Sequence, residues 1–432
     1  MAATSELRQR TQFQASIRDE MPPSGNLSAG VTTTTTEDVA SDEHPSGKES
    51  YGRWVQMLRI ISFSLYFTAG CIAIVLTQLI GAPLYFVNRD LYDAYMALTK
   101  QSFGLVITTM THWWGPTTIR ISGDASVADQ ITQTPDGLVQ FSFPERMVMI
   151  ANHQIYTDWL YLWWVGYANA PHMHGYLYII LKESLRWIPI MGQGMMFYGF
   201  IFMSRKMSVD RPRLAHRLAK LKTVHTSPDG RKYLNPMWLL LFPEGTNASG
   251  NGRVKSARWA EKIGVRDPEH MLLPRSTGMY FCLSELKGTV DWVYDCTVAY
   301  EGIPRGKYGE DYFPLSSSFF EGRPPKSVNF YWRRFKVDDI PLESADAFDI
   351  WLRERWYEKD ALMERYVSTG RFPASPGEAV AEAGRGKEGF VETEVRTRYP
   401  WEFVQIYTVL GLAGLVVNVV WKMWSRLSAA VS

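Results

Sequence analysis

The sequence predicts a mixed α/β domain, a central sheet flanked by helices, with a membrane helix at each end. Three observations predict it. Short, almost purely apolar runs alternate with amphipathic stretches through the middle of the chain, an uncharged run covers Ile60–Val87, and a second apolar run covers Phe403–Trp421.

In chain order, residues 1–50 are Ser, Thr, Gly and charge with few large apolar groups, and Thr32–Thr36 is homopolymeric, so this segment is expected to be a disordered tail. Residues 57–120 are expected to form membrane-embedded or interfacial helices. The run from Ile60 exceeds the roughly 20 residues that span a bilayer core, and Gly81 and Pro83 interrupt it, so its last part is expected to bend along the interface. A buried core helix is the competing reading of either apolar run.

The expected domain covers 121–370. MVMIA at Met147–Ala151, YLYIIL at Tyr176–Leu181, FIFM at Phe200–Met203 and WLLLF at Trp238–Phe242 read as buried strands, with later ones at Val293–Tyr300 and Val328–Phe335. Helices are expected from Asp158 and from Arg213, and a long amphipathic one over 345–367 that packs on the core. Residues 371–395, with Gly, Pro, Ala and Glu dominant over 374–387, read as a flexible linker. The second span, 403–424, has Trp401, Trp421 and Trp424 near its ends as interface anchors. Lys and Arg flank both sides of both spans, so charge does not set their orientation.

Composition narrows the function. The 46 Lys+Arg against 44 Asp+Glu argue against a nucleic-acid partner, while 16 Trp, 22 Tyr and 21 Phe suit an interface between water and lipid. Cys71, Cys282 and Cys296 are odd in number and lack metal-site spacing, which points to neither a disulfide framework nor structural zinc, and to a cytosol-facing domain. Charged residues are scattered over the first twenty positions, so no cleaved signal peptide is expected.

The most informative segment is Asn152-His153-Gln154-Ile155-Tyr156-Thr157-Asp158-Trp159, between an expected strand and an expected helix. On one helix, residues five apart lie about 140° apart. His153 and Asp158 can therefore meet only if His153 sits in the turn and Asp158 opens the helix. A carboxylate that holds one ring nitrogen fixes the tautomer, and the other nitrogen can then take a proton from a hydroxyl. An incidental His beside a helix-capping Asp would give the same spacing. At Phe242-Pro243-Glu244-Gly245-Thr246 a hydrophobic strand ends in a turn with one carboxylate. Burying Glu244 unpaired would be costly. It either accepts hydrogen bonds from substrate hydroxyls, orients a basic residue, or belongs to an ordinary turn.

Together, Asn-His-(four residues)-Asp and Phe-Pro-Glu-Gly-Thr, in this order, resemble the glycerophospholipid acyltransferases of the 1-acylglycerol-3-phosphate acyltransferase superfamily. The resemblance implies a catalytic pair at His153 and Asp158, a substrate contact at Asn152, and acceptor contacts at Glu244, Gly245 and Thr246. Gly199-Phe200-Ile201-Phe202-Met203-Ser204-Arg205 is similar to the second block, which implies that Arg205 binds the acceptor phosphate, a task suited to a bidentate guanidinium. Leu272-Leu273-Pro274-Arg275-Ser276-Thr277-Gly278 is similar to the fourth, which implies that Pro274 and Arg275 help form the acyl-donor site.

The resemblance covers roughly 58–367, and through NHQIYTDW, FPEGTN, LLPRSTG, VYDCTVAY and the WLRERWYEKDALMERY helix it is nearest the lysocardiolipin and lysophosphatidylinositol acyltransferases. It implies acyl-coenzyme A as co-substrate without a metal or other cofactor, a lysophospholipid acceptor, a bilayer, and the endoplasmic reticulum membrane. Lysophosphatidic acid is the alternative acceptor. Many family members carry Arg and Ser after the His, and Arg after Gly-Thr, where this chain has Gln154, Ile155 and Asn247. These departures weigh against lysophosphatidic acid.

Other classes fit less well. The chain has no G-x-S-x-G elbow, and Phe197 takes the third glycine position after Gly192-Gln193-Gly194. His172 and His174 are too few for a zinc site. Asn247-Ala248-Ser249 matches a glycosylation acceptor, but within the expected active-site turn. A basic helix with Arg211, Arg213, Arg217, Lys220 and Lys222 faces either anionic lipid or water. A non-catalytic lipid-tethering protein would not need both His153 and Asp158.

Overall fold

The computed structural model describes residues 44–204, 206–227, 229–376 and 389–431. Most of the expected tail lies outside the described residues. Its last part is ordered: His44 Nε2 hydrogen-bonds the Tyr312 carbonyl at 2.9 Å and Ser46 is buried. Folded chain therefore includes residues before position 50, where the His44 ring is tied to a loop far along the sequence.

Helix α1 runs Arg53–Gly81 and α2 Arg89–Trp114, separated by the short turn Leu84–Val87. The break falls where Gly81 and Pro83 predict it. A Cβ at Gly81 would lie 2.1 Å from the Tyr95 ring, so only glycine lets α2 fold back this closely on α1. Asn88 caps α2 by accepting from the Leu91 N–H at 2.9 Å. The α2 face from Phe103 to Thr111 is almost wholly buried, which makes this helix part of the domain core.

The strands are β1 Thr118–Gly123, β2 Ile131–Gln133, β3 Val139–Phe141, β4 Arg146–Ala151, β5 Leu177–Lys182, β6 Ile201–Met203, β7 Val224–Thr226, β8 Lys232–Leu234, β9 Met237–Leu241, β10 Trp292–Tyr300, β11 Ser327–Lys336 and β12 Val391–Glu394. Among the described residues the main sheet has eight strands in the order β12-β1-β11-β10-β4-β9-β5-β6. From β10 to β6 every pairing is parallel, and β11 runs antiparallel to β10. The pairs β2–β3 and β7–β8 form separate hairpins.

Parallel strands covered on both faces read as continuous apolar runs, as β4 and β9 do. Met147, Met149, Ala151, Trp238 and Leu240 face one core with Phe143, Trp163 and Trp332, covered by α2 and by α3 Asp158–Ala168. Val148, Ile150, Met237, Leu239 and Leu241 face the other, covered by α5 Met207–Leu221, α7 Ser276–Leu286 and α8 Ala345–Thr369. Other body helices among the described residues are α4 Met191–Phe197 and α6 Gly250–Ile263, with a single helical turn at Gly309–Tyr312. The expectation that the long amphipathic helix packs on the core holds for α8, through Phe348, Leu352 and Trp356.

One expectation is corrected. The segment read as a linker contains β12, which pairs antiparallel with β1 (Thr118↔Glu394) and is tied by the Arg120–Glu392 ion pair at 2.8 Å. Residues 377–388 of that segment lie outside the described ones. Val391 and Thr393 turn inward while Glu392 and Glu394 face out, an alternation too short to mark a strand by itself. The basic helix keeps Arg211, Arg213 and Lys220 exposed; Arg213 pairs with Glu183 at 2.8 Å, Lys222 just after it pairs with Glu285 at 3.0 Å, and Arg211 lies over the Phe281 ring.

Two helical segments, Arg53–Val87 and Glu402–Ala429, are long and apolar enough to cross a membrane. The second is rooted by Glu402, which accepts from the Tyr167 hydroxyl at 2.7 Å and the Tyr399 N–H at 2.8 Å. Beyond that root, α9 Thr408–Val431 exposes Leu412, Leu415, Val417, Trp421 and Trp424 by more than half each. An apolar surface that continuous is unfavourable in water.

Candidate active site

β4 and β9 are parallel neighbours with Ile150 opposite Leu241, so they end at the same edge of the sheet. The residues that follow them, Asn152-His153 and Phe242-Pro243-Glu244, are brought side by side. Ligands of open α/β sheets bind outside the carboxyl ends of the strands, where this meeting lies.

Asn152 continues the ladder beyond β4. Its Nδ2 donates to the Val298 carbonyl at 2.9 Å and its Oδ1 accepts from the Val298 N–H at 2.8 Å, with the side chain fully buried. The expectation that Asn152 contacts substrate is corrected: both polar ends are used in fixing β4 to β10.

His153 leaves the strand at this point, and Asp158 is the first residue of α3. The Asp158 Oδ2 accepts from His153 Nδ1 at 2.8 Å, from the Gln154 N–H at 2.7 Å and from the Ile155 N–H at 3.2 Å. The spacing of five thus closes through a turn wrapped around the carboxylate. A position in the first helical turn also suits an acidic group, because the helix N-terminus is electropositive. Asp158 Oδ1 accepts from the Tyr300 hydroxyl. A carboxylate that only accepts forces the proton onto His153 Nδ1. Nε2 keeps its lone pair and has no protein partner among the described residues. The Phe242 ring stacks on the imidazole at 4.3 Å, and the His153 side chain keeps 17% exposure while Asp158 has none.

Glu244 turns inward. Its Oε1 accepts from the His153 N–H and from Trp356 Nε1, both at 3.3 Å, and the residue is buried. Oε1 thereby bridges the His153 turn and α8, while Oε2 is buried with no hydrogen-bond partner among the described residues. Burial outweighs these two bonds and pushes the carboxyl up to about 8. With the folded value above the ordinary one of 4.5, the folded protein holds a proton that the unfolded chain releases as pH rises from 4.5 to about 8. Stability should decline through that window and level off above it. Glu244→Gln is expected to flatten the decline, read as melting temperature against pH in detergent; an unchanged slope would refute the assignment.

Gly245 is exposed with φ +74°, a conformation that favours glycine, and its N–H closes the turn on the Phe242 carbonyl at 2.9 Å. Thr246 is half-buried beside it. The Ala248 N–H donates to the His153 carbonyl at 2.7 Å, which joins the two turns. The fourth block lies against them through the Arg275 N–H, which donates to the Pro243 carbonyl at 2.7 Å; Pro274 is buried, and the Arg275 guanidinium lies over the Trp259 ring at 4.1 Å. Arg205 lies outside the described residues. Its flanks are anchored on α5: the Ser204 and Lys206 N–H groups donate to Asp210 at 2.9 and 3.1 Å, at the same carboxyl edge of the sheet.

The departures from the family blocks face inward or pair with protein. Gln154 donates to the His270 carbonyl at 3.2 Å, Ile155 is fully buried, and Asn247 donates to Glu310. Two partners of the site, Tyr300 and Trp356, lie outside the four blocks, in the VYDCTVAY and WLRERWYEKDALMERY segments, to which the resemblance assigns no site role. A Tyr at the end of an apolar strand and a Trp in an amphipathic helix both read as core. Elsewhere, the His172 and His174 rings are 5.7 Å apart, and the His172 Nδ1 hydrogen-bonds the Tyr167 carbonyl. In the acidic group Glu269, His270 and Glu364, the Arg305 guanidinium pairs with both Glu269 and Glu364 and takes the place a cation would hold.

Comparison with known proteins finds relatives that cover most of the chain. A family model described as acyltransferase matches residues 131–301, and one described as acyltransferase C-terminus matches 318–400. The chain is 36% identical over 353 residues to an uncharacterized acyltransferase of Schizosaccharomyces pombe, covering 82% of this chain and 94% of the relative. It is 39% identical over 339 residues to the 2-acyl-1-lysophosphatidylinositol acyltransferase of Saccharomyces cerevisiae, covering 72% and 85%. To lysocardiolipin acyltransferase 1 of Gallus gallus it is 31% identical over 257 residues, covering 58% and 61%.

Proposed function

The chain belongs to the glycerophospholipid acyltransferase family and is an acyltransferase, and from that premise we propose that it moves a fatty acyl group from acyl-coenzyme A to a free hydroxyl of a lysophospholipid. The observation that carries the mechanism is His153, held through Nδ1 by a fully buried Asp158 at 2.8 Å, with Nε2 unengaged by protein among the described residues. No Ser, Thr or Cys side chain among the described residues hydrogen-bonds this imidazole, so the attacking oxygen is the substrate's own.

In this mechanism Nε2 takes the proton of the acceptor hydroxyl as its oxygen attacks the thioester carbonyl. The tetrahedral intermediate collapses with loss of the coenzyme A thiolate, and the His153 proton passes to that sulfur. An ester and a free thiol result. A positioned base supplies roughly 10²–10⁴ in rate, and the remainder comes from holding the two substrates in register and stabilising the oxyanion. We assign Gly245, Thr246, Pro274 and Arg275, which line the same edge, to the substrates. Arg205 we assign to the acceptor phosphate.

The two apolar helices support anchoring in a bilayer, which would confine both acyl chains near the site. We place the protein in the endoplasmic reticulum membrane with its α/β body facing the cytosol. The acceptor we propose is lysophosphatidylinositol or a lysocardiolipin-type lipid, the classes named in two of the relatives. Purified protein given labelled oleoyl-coenzyme A and a panel of lysophospholipids is expected to acylate these in preference to lysophosphatidic acid. Preference for lysophosphatidic acid would move it to phosphatidic acid synthesis, and transfer to none would contradict the function.

A further inference from the structure

The hydrogen bonds of Asp158 divide unequally between its two oxygens. Among the described residues Oδ2 accepts His153 Nδ1 and two backbone N–H groups, whereas Oδ1 accepts a single donor, the hydroxyl of Tyr300. Asp158 and Tyr300 are both buried, so water cannot replace that donor. Tyr300 is itself placed with little freedom. It ends β10, two residues after Val298, whose peptide is held by Asn152, and its ring packs near Tyr161 and Phe313 at centroid distances of 6.2 and 6.3 Å.

We propose that Tyr300 is the third member of the catalytic unit, a positioning residue whose hydroxyl fixes the Asp158 carboxylate and sets how strongly that carboxylate holds the His153 proton. The phenol is a donor only: burial and the adjacent Asp158 charge keep it protonated far above the ordinary tyrosine range. Donation to Oδ1 locks the carboxylate rotation, so that Oδ2 stays aimed at Nδ1. It also withdraws negative charge from the carboxylate, and so keeps the imidazole from becoming too strong a base to release its proton to the leaving sulfur. This role rests on His153 acting as the base.

The test is Tyr300→Phe with full pH–rate profiles, and His153→Ala in parallel. Loss of one hydrogen bond to a charged group is expected to lower kcat roughly 10- to 100-fold. KM for both substrates should stay unchanged. The acid limb of the kcat profile should move to higher pH, because the less stabilised carboxylate holds the imidazolium proton more tightly. A merely structural lesion would lower activity without moving that limb. Wild-type kcat with an unmoved acid limb overturns the proposal.

If Tyr300→Phe does not fold, 3,5-difluorotyrosine at position 300 keeps the shape and strengthens the donor. It is expected to move the acid limb to lower pH, and an unmoved limb overturns the proposal. An inactive His153→Ala beside an unaffected Tyr300→Phe would refute the role of Tyr300 alone. An active His153→Ala would refute the base on which it rests.

Discussion

Replacing His153 by alanine is expected to lower acyl transfer by roughly 10²- to 10⁴-fold, the contribution of a positioned general base, without unfolding the protein. The reason the fold should survive lies in how the turn is held. Its hydrogen bonds run through backbone groups: the His153 N–H to Glu244, the His153 carbonyl from Ala248, and the Gln154 and Ile155 N–H groups to Asp158. Alanine keeps all of these. It removes only an imidazole that is partly exposed and stacked on Phe242. One bond to Asp158 Oδ2 is lost, but that oxygen retains two backbone donors. Monodisperse elution and an unchanged melting temperature beside lost turnover would match this expectation.

Asp295→Ala is expected to do the reverse and destabilise the whole body. Asp295 on β10 has no exposed side-chain surface and pairs with two cations: its Oδ2 accepts from Arg333 Nε on β11 at 2.8 Å, and its Oδ1 accepts from Lys359 Nζ on α8. Lys359 is likewise wholly buried and donates also to the Cys296 carbonyl at 2.7 Å. Arg333 keeps a second carboxylate, Glu358, which is itself nearly half exposed. Removing Asp295 leaves Lys359 buried with no carboxylate partner. Breaking a buried pair from one side costs about 3–5 kcal/mol, a large fraction of the stability of most domains. Burial already pulls the Lys359 ammonium below its ordinary value despite Asp295, so without the carboxylate it should lose its proton or bring α8 away from the sheet. A steep fall in melting temperature, or failure to accumulate as folded protein, is the expected result. A melting temperature within a degree or two of wild type would show that the network carries little.

Much of the site is legible in the sequence because two of its parts are local. His153 and Asp158 lie five residues apart, and the strand–turn–helix pattern around them already requires them to meet if they act together. The apolar runs that became β4 and β9 are unambiguous because parallel strands buried on both faces carry no polar alternation. What the sequence hides is what arrives from far along the chain. Tyr300 reaches Asp158 across 142 positions and Trp356 reaches Glu244 across 112. Each looks like core until the sheet order places β10 beside β4 and α8 over the strand ends. Asn152 is found by motif but misassigned, since a polar residue in a motif gives no sign of whether its side chain faces the substrate or its own backbone, and the motif equally gives no sign that Glu244 Oε1 joins the His153 turn to α8. β12 escapes notice because four residues hold one alternation, and its partner strand lies more than 250 positions earlier.

The most direct measurement is a single-turnover reaction with acyl-coenzyme A labelled in the acyl carbonyl, wild type and His153→Ala side by side, quenched in acid and resolved into protein-bound and lipid-bound label. Direct transfer with His153 as base predicts label in the lysophospholipid product of the wild type, none on protein with or without acceptor, and none in lipid for the variant. Label that first appears on the protein and then passes into lipid when acceptor is added, or full-rate transfer by the variant, would contradict it.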